Sequence, residues 1–119
     1  MSAVLLAALL AAQPEPYRID LVTITLDDAR TLNGKRVRVS FTTGKPSYAL
    51  NGVTVTGPTD QENDGEDVSR GVILRGEQII DLGARVEVVG QLRVIDHPAR
   101  IVNGVPVPGW VEVRVEEGR

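Results

Sequence analysis

A chain of 119 residues with 13 Lys and Arg against 16 Asp and Glu carries a formal charge of −3, which excludes a general attraction to nucleic acid or anionic membranes. The length is that of one domain, able to bury about 60–70% of its surface on folding. With no cysteine, disulfides and thiolate metal sites are excluded as well. Aromatic residues are few (Tyr17, Phe41, Tyr48 and Trp110), so valine and leucine must fill the interior.

Residues 3–12, Ala-Val-Leu-Leu-Ala-Ala-Leu-Leu-Ala-Ala, form an uninterrupted apolar run. It is too short to span a bilayer, which needs about 20 residues, but it suits the apolar core of a secretion signal. Residues 1–12 therefore read as a signal-peptide-like leader, and the protein as secreted or periplasmic, with no transmembrane span once mature. The alternative is a docked N-terminal helix on a cytoplasmic protein. Gln13-Pro-Glu-Pro16 reads as a linker, because two prolines stop a helix from continuing.

Residues 17–25 are β-like, and residues 13–25 form a linker and N-terminal strand. Leu26 to Leu32 predicts a short helical turn, with Asp27 and Asp28 at its positive end and Asn33-Gly34 as its stop. Residues 35–43 predict a strand with Val37, Val39 and Phe41 inward and Arg36, Arg38 and Ser40 outward. Residues 48–56 predict another, broken at Asn51-Gly52 by either a bulge or a tight hairpin. Residues 57–69 are loop-like and acidic. A short strand at 71–75 and a connector at 77–82, with room for one helical turn, follow.

Residues 83–95 carry the clearest period of two. Val86, Val88, Leu92 and Val94 share one parity with Gly90; Glu87, Gln91 and Arg93 share the other. A mid-strand glycine marks a bulge or bend, and bent strands suit a small closed barrel. Residues 96–108 read as a proline-punctuated loop with Asn103-Gly104 at its tip. Residues 110–117 form the last strand, with Val111, Val113 and Val115 inward and Trp110 facing out or capping the barrel end.

Three segments, Leu32-Asn-Gly-Lys-Arg-Val-Arg-Val-Ser40, Gly71-Val-Ile-Leu-Arg-Gly76 and Asp81-Leu-Gly-Ala-Arg-Val-Glu-Val-Val-Gly-Gln-Leu-Arg-Val-Ile95, resemble small bacterial OB-fold proteins of the tRNA-anticodon-like type. The resemblance runs over roughly residues 26–116 and rests on shape motifs, a glycine before a strand and a glycine within one. It implies an all-β fold: a five-stranded OB-like antiparallel barrel over residues 26–117, with one short helix before the first barrel strand. An open sandwich is the competing arrangement. OB-folds bind on the outward face of the middle strands, flanked by the loops after strands one and four.

Candidate ligand-binding residues follow from that placement. Arg36 and Arg38 project together, Lys45 and Tyr48 lie at the next turn, and Arg100 and Trp110 frame the long loop. Cations along a groove with aromatic platforms suit single-stranded nucleic acid, whereas Arg36 and Arg38 can equally pair across strands with Glu87 or Glu112. Asp60, Glu62, Asp64 and Asp67 partly match a calcium loop, without its closing glutamate or flanking helices. His97 is the only histidine and reads as a surface loop residue. No cofactor is implied. The reading is a non-enzymatic binding module whose ligand, of unknown identity, is a protein or peptide, a glycan or a small molecule held by the loop at residues 96–108. Its rivals are a single-stranded nucleic-acid binder and a structural subunit pairing through a strand edge.

Overall fold

The computed structural model describes residues 15–59 and 68–117. The leader at 1–12 and the calcium candidates Asp60, Glu62, Asp64 and Asp67 lie outside these residues.

Strands dominate. In chain order they are β1 (Tyr17–Ile19), β2 (Arg36–Thr42), β3 (Tyr48–Leu50), β4 (Val53–Thr56), β5 (Val68–Arg75), β6 (Arg85–His97), β7 (Arg100–Val102), β8 (Val105–Val107) and β9 (Trp110–Glu117). A short helix, α1 (Leu26–Thr31), the one helix among the described residues, precedes β2. The Thr25 side chain accepts from the Asp28 N–H at 3.1 Å, and Asp27 and Asp28 occupy the first turn, as its charge pattern implies. Ala29 is its buried residue, and Arg30 ties the helix to the far end of β6 through Asp96.

Alternation organises the core. Val37, Val39 and Phe41 from β2, Val86, Val88 and Leu92 from β6, and Val113 and Val115 from β9 are buried, joined by Val72 and Leu74 of β5. Stiff, β-branched valine packs well on such a pleated surface. Leu21, Ile24 and Ala29 complete the cluster from the segment before β2.

The predicted closed five-stranded antiparallel barrel is corrected here. Seven strands form one sheet in the order β1-β2-β6-β9-β5-β4-β3, and that sheet is not closed into a barrel by strand pairing. Two of its ladders, β1–β2 and β5–β9, are parallel. The physical reason lies at the outer edge of β2. Tyr17–Ile19 occupies that edge opposite residues 37–39, so its backbone groups are not available to a closing strand. Beyond the ladder, the Gly44 N–H donates to the Gly57 carbonyl at 3.0 Å, which joins the segments following β2 and β4.

Three further expectations change. Asn51-Gly52 is a two-residue hairpin turn with φ of 52° and 82°, not a bulge. Residues 77–82 contain no helix, and the chain there is held by side chains instead. Residues 96–108 hold a second hairpin, β7–β8, turning at Asn103-Gly104 with φ of 51° and 77°.

Thr54 is the anchor of that helix-free connector. Fully buried, its hydroxyl donates to the Gly76 carbonyl at 2.7 Å and accepts from the Gln78 N–H at 2.8 Å. Thr54→Val keeps the shape and removes both bonds, stranding two backbone groups. The expected loss is about 1–3 kcal/mol in urea unfolding. No measurable loss would mean that the connector is held by something else.

Candidate functional site

The middle of the sheet presents a wet face whose charges are largely matched. Arg38 Nη1 lies 3.1 Å from Glu87 Oε1, the cross-strand pairing allowed for by the sequence. Arg36 is exposed and opposite Gln91. An open groove of about 790 Å³ runs here, lined by Gly34, Arg36, Gln91, Arg93, Glu116 and Glu117 among others. Arginines and carboxylates face it in similar number, so it has no strong preference for an anion.

Glu112 is not a partner of Arg36 or Arg38. It accepts from Arg114 in bidentate fashion, at 2.6 Å from Nε and 3.0 Å from Nη2, and lies 3.2 Å from His97 Nε2. Burial is the largest single influence on Arg114 and works against its charge, but the hydrogen bonds and negative charges of Glu112 and Glu116 together outweigh it and hold the guanidinium above its usual range. At the end of β6, the Arg30 hydrogen bond holds the Asp96 carboxyl below the ordinary carboxylate range.

His97 is corrected from a loop residue to the last residue of β6. It stands opposite Trp110 in the β6–β9 ladder, with ring centroids 3.9 Å apart and planes 8° from parallel. Trp110 is thus a stacked cross-strand partner with 39% of its surface exposed.

Above that stack rises the β7–β8 hairpin. Its register sets Val102 opposite Val105 and Ile101 opposite Pro106, so both faces of the ribbon carry apolar side chains. Ile101 is 74% exposed, Val105 61% and Val102 42%. Arg100 opens the hairpin and is exposed. Among the described strands, β7 and β8 pair only with each other.

The remaining candidates sit elsewhere. Lys45 Nζ donates to the Arg70 carbonyl at 3.1 Å. Tyr48 projects from edge strand β3 and is 57% exposed. Residues directly opposite in a ladder share a face, so Tyr48 and Leu50 stand beside Val55 and Val53, and Val55 beside Ile73 of β5. Thr54 and Thr56 take the interior parity, which turns this apolar row outward. The structure therefore does not gather the six candidates into one site. Arg36 and Trp110 are separated by about 20 Å along β6, from Gln91 to His97 at ~3.3 Å per residue.

Two features escaped sequence reasoning. The hairpin had a signal in Asn103-Gly104 flanked by Arg-Ile-Val and Val-Pro-Val, but the prolines argued for a loop. The joining of His97 to the Glu112–Arg114 pair had none, because it forms only when β6 and β9 pair. Among the described residues no group of His, Asp and Glu is arranged to hold a metal ion, and no helix is long and apolar enough to cross a membrane. Compared with known proteins, the chain matches no family model, no curated protein and no solved structure.

Proposed function

We propose that this chain is a non-enzymatic binding module, acting after export, that holds a protein partner on the β7–β8 hairpin. The observation that carries the reading is the exposure of Ile101, Val102 and Val105 on a ribbon that has no neighbour among the other described strands. An isolated two-stranded hairpin is marginal in water, and clustered apolar side chains on it suit a partner that covers them. Large apolar groups with a single cation, Arg100, fit a protein surface better than a phosphate backbone.

OB-like connectivity is part of the same proposal. In support, β2, β6, β9, β5 and β4 follow one another with antiparallel, antiparallel, parallel and antiparallel ladders. The hairpin then occupies the loop before the last strand, a ligand-bearing position in OB-folds. Export rests on the apolar run at residues 3–12.

The test is site-specific photocrosslinking in the native host, with a benzophenone side chain at position 101 or at the control Ile79, which is 98% exposed. A discrete protein adduct at 101, absent at 79 and lost with Val105→Asp, is expected. Equal labelling at both positions would overturn the reading. So would binding of labelled single-stranded DNA at about 50 mM salt that is lost on Arg36→Ala plus Arg38→Ala, since that assigns the ligand to the other class.

A further inference from the structure

We propose that the outer edge of β3, on which no other described strand lies, is a self-association site, where a second copy of this chain pairs antiparallel about Ala49 and joins two sheets into one. This stands independently of the hairpin reading.

Hydrogen-bond parity in the β3–β4 hairpin sets which way Ala49 faces. Leu50 and Val53 flank the two-residue turn and exchange both ladder bonds; the pattern then alternates, leaving Ala49–Thr54 as a pair without mutual bonds. Ala49 therefore directs its N–H and C=O away from β4, toward the side of the sheet where no described strand follows. β3 is the terminal strand there.

A second copy fits that edge because the edge is complementary to itself. Placing Ala49 on the two-fold axis lets the two alanines exchange both backbone bonds. Tyr48 then stands opposite Leu50 of the other copy, twice over, an aromatic–aliphatic cross-strand pair. Ser47 meets Asn51. Both Tyr48 and Leu50 lie on the outward apolar row with Val53, Val55 and Ile73, so that row becomes continuous across the axis.

Charge points the same way. Residues 46–58, Pro-Ser-Tyr-Ala-Leu-Asn-Gly-Val-Thr-Val-Thr-Gly-Pro, contain no charged side chain in a protein where 24% of residues are charged. The opposite edge of the sheet, β1, has Arg18 at its centre, and the same two-fold pairing there would set arginine against arginine. Natural edges are commonly protected by such charges, and β3 lacks one.

A three-residue strand offers less than the ~800 Å² per partner of a standard stable interface, so a weak dimer is expected, forming in the range of about 10–500 µM. Sedimentation equilibrium of the full chain should show the mass rising from 12.8 kDa toward twice that value across this range. The Ala49 amide should exchange with deuterium about 2- to 5-fold more slowly at the top of the range than at the bottom, in step with the falling monomer fraction. Ala49→Pro removes the outward N–H, a position where an edge strand tolerates proline, and Tyr48→Lys with Leu50→Lys opposes like charges while keeping that N–H. Both variants should stay at 12.8 kDa with unchanged circular dichroism, while Ile101→Ser should associate like the wild type. A constant monomer mass overturns the proposal, as does association that survives both β3 variants or disappears with Ile101→Ser.

Discussion

Gly90→Val is expected to abolish folding, and Gly90→Ala to cost at least about 3 kcal/mol. A β-carbon at this position would collide with the Glu116 carbonyl oxygen and lie 2.6 Å from its carbon and 3.0 Å from Glu117 Cα. These are backbone atoms, so no rotamer change relieves the clash. β9 cannot withdraw either, because Gly90↔Glu117 and Gln91↔Glu116 are rungs of the ladder that holds it. Gly90 also stands where β6 changes partners: residues 85–91 pair with β2 and residues 90–97 with β9. Gly71→Ala is the control, since its β-carbon would meet only the Thr56 carbonyl oxygen at 3.4 Å, and it should change stability by less than about 1 kcal/mol. Urea unfolding followed by circular dichroism and by Trp110 emission distinguishes them. Equal stability of the two alanine variants would show that the crossing of β6 and β9 is looser than described.

Phe41→Ala should lower stability by about 3–5 kcal/mol, and Phe41→Leu by well under half of that. Phe41 is 1% exposed and the largest of the fully buried side chains. Its ring lies in a cluster made mostly of valine and leucine, small groups on stiff strands that cannot collapse far into the space it leaves. Against a typical total of 5–15 kcal/mol, the alanine variant would retain little margin. Thermal unfolding with a parallel urea titration gives the value. A loss below about 1 kcal/mol would mean that the interior does not depend on this ring.

The contrast between what the sequence disclosed and what it hid follows from the range of each signal. Inward parity of Val37, Val39, Phe41, Val86, Val88, Leu92, Val113 and Val115 is local, because neighbours on one strand suffice to define two faces. The helix at residues 26–31 was legible for the same reason, through its first-turn aspartates and its Asn33-Gly34 stop. Closure was not legible. Whether a sheet shuts depends on which edges meet, and the strand that occupies the edge of β2 comes from Tyr17–Ile19, with nothing in its three residues to announce a parallel partner. Asn51-Gly52 stayed ambiguous because a bulge and a hairpin share turn chemistry; pairing of Val53–Thr56 with Val72–Arg75 decides it from a distance.

The candidate site was legible only in part. Arg36 and Arg38 do project from one side of β2, and Arg38 does meet Glu87. Burial of Thr54 and Thr56, which turns Val53 and Val55 to solvent, reverses what hydropathy alone would assign to that strand. The reason is the unsatisfied backbone of residues 76–78, which Thr54 serves and a valine could not.

β9 lies between β6 and β5, in the interior of the sheet, yet follows every strand it pairs with in chain order. Before β9 is in place the chain therefore spends an interval as two half-sheets whose inner edges, on β6 and β5, have no strand between them. The β5–β9 ladder, linking residues 68–73 to 111–116, is a late and distant closure of the kind that slows folding. That interval is when unpaired edges of β5 and β6 are most prone to stick to one another or to a neighbouring chain, and when a chaperone would have most to cover.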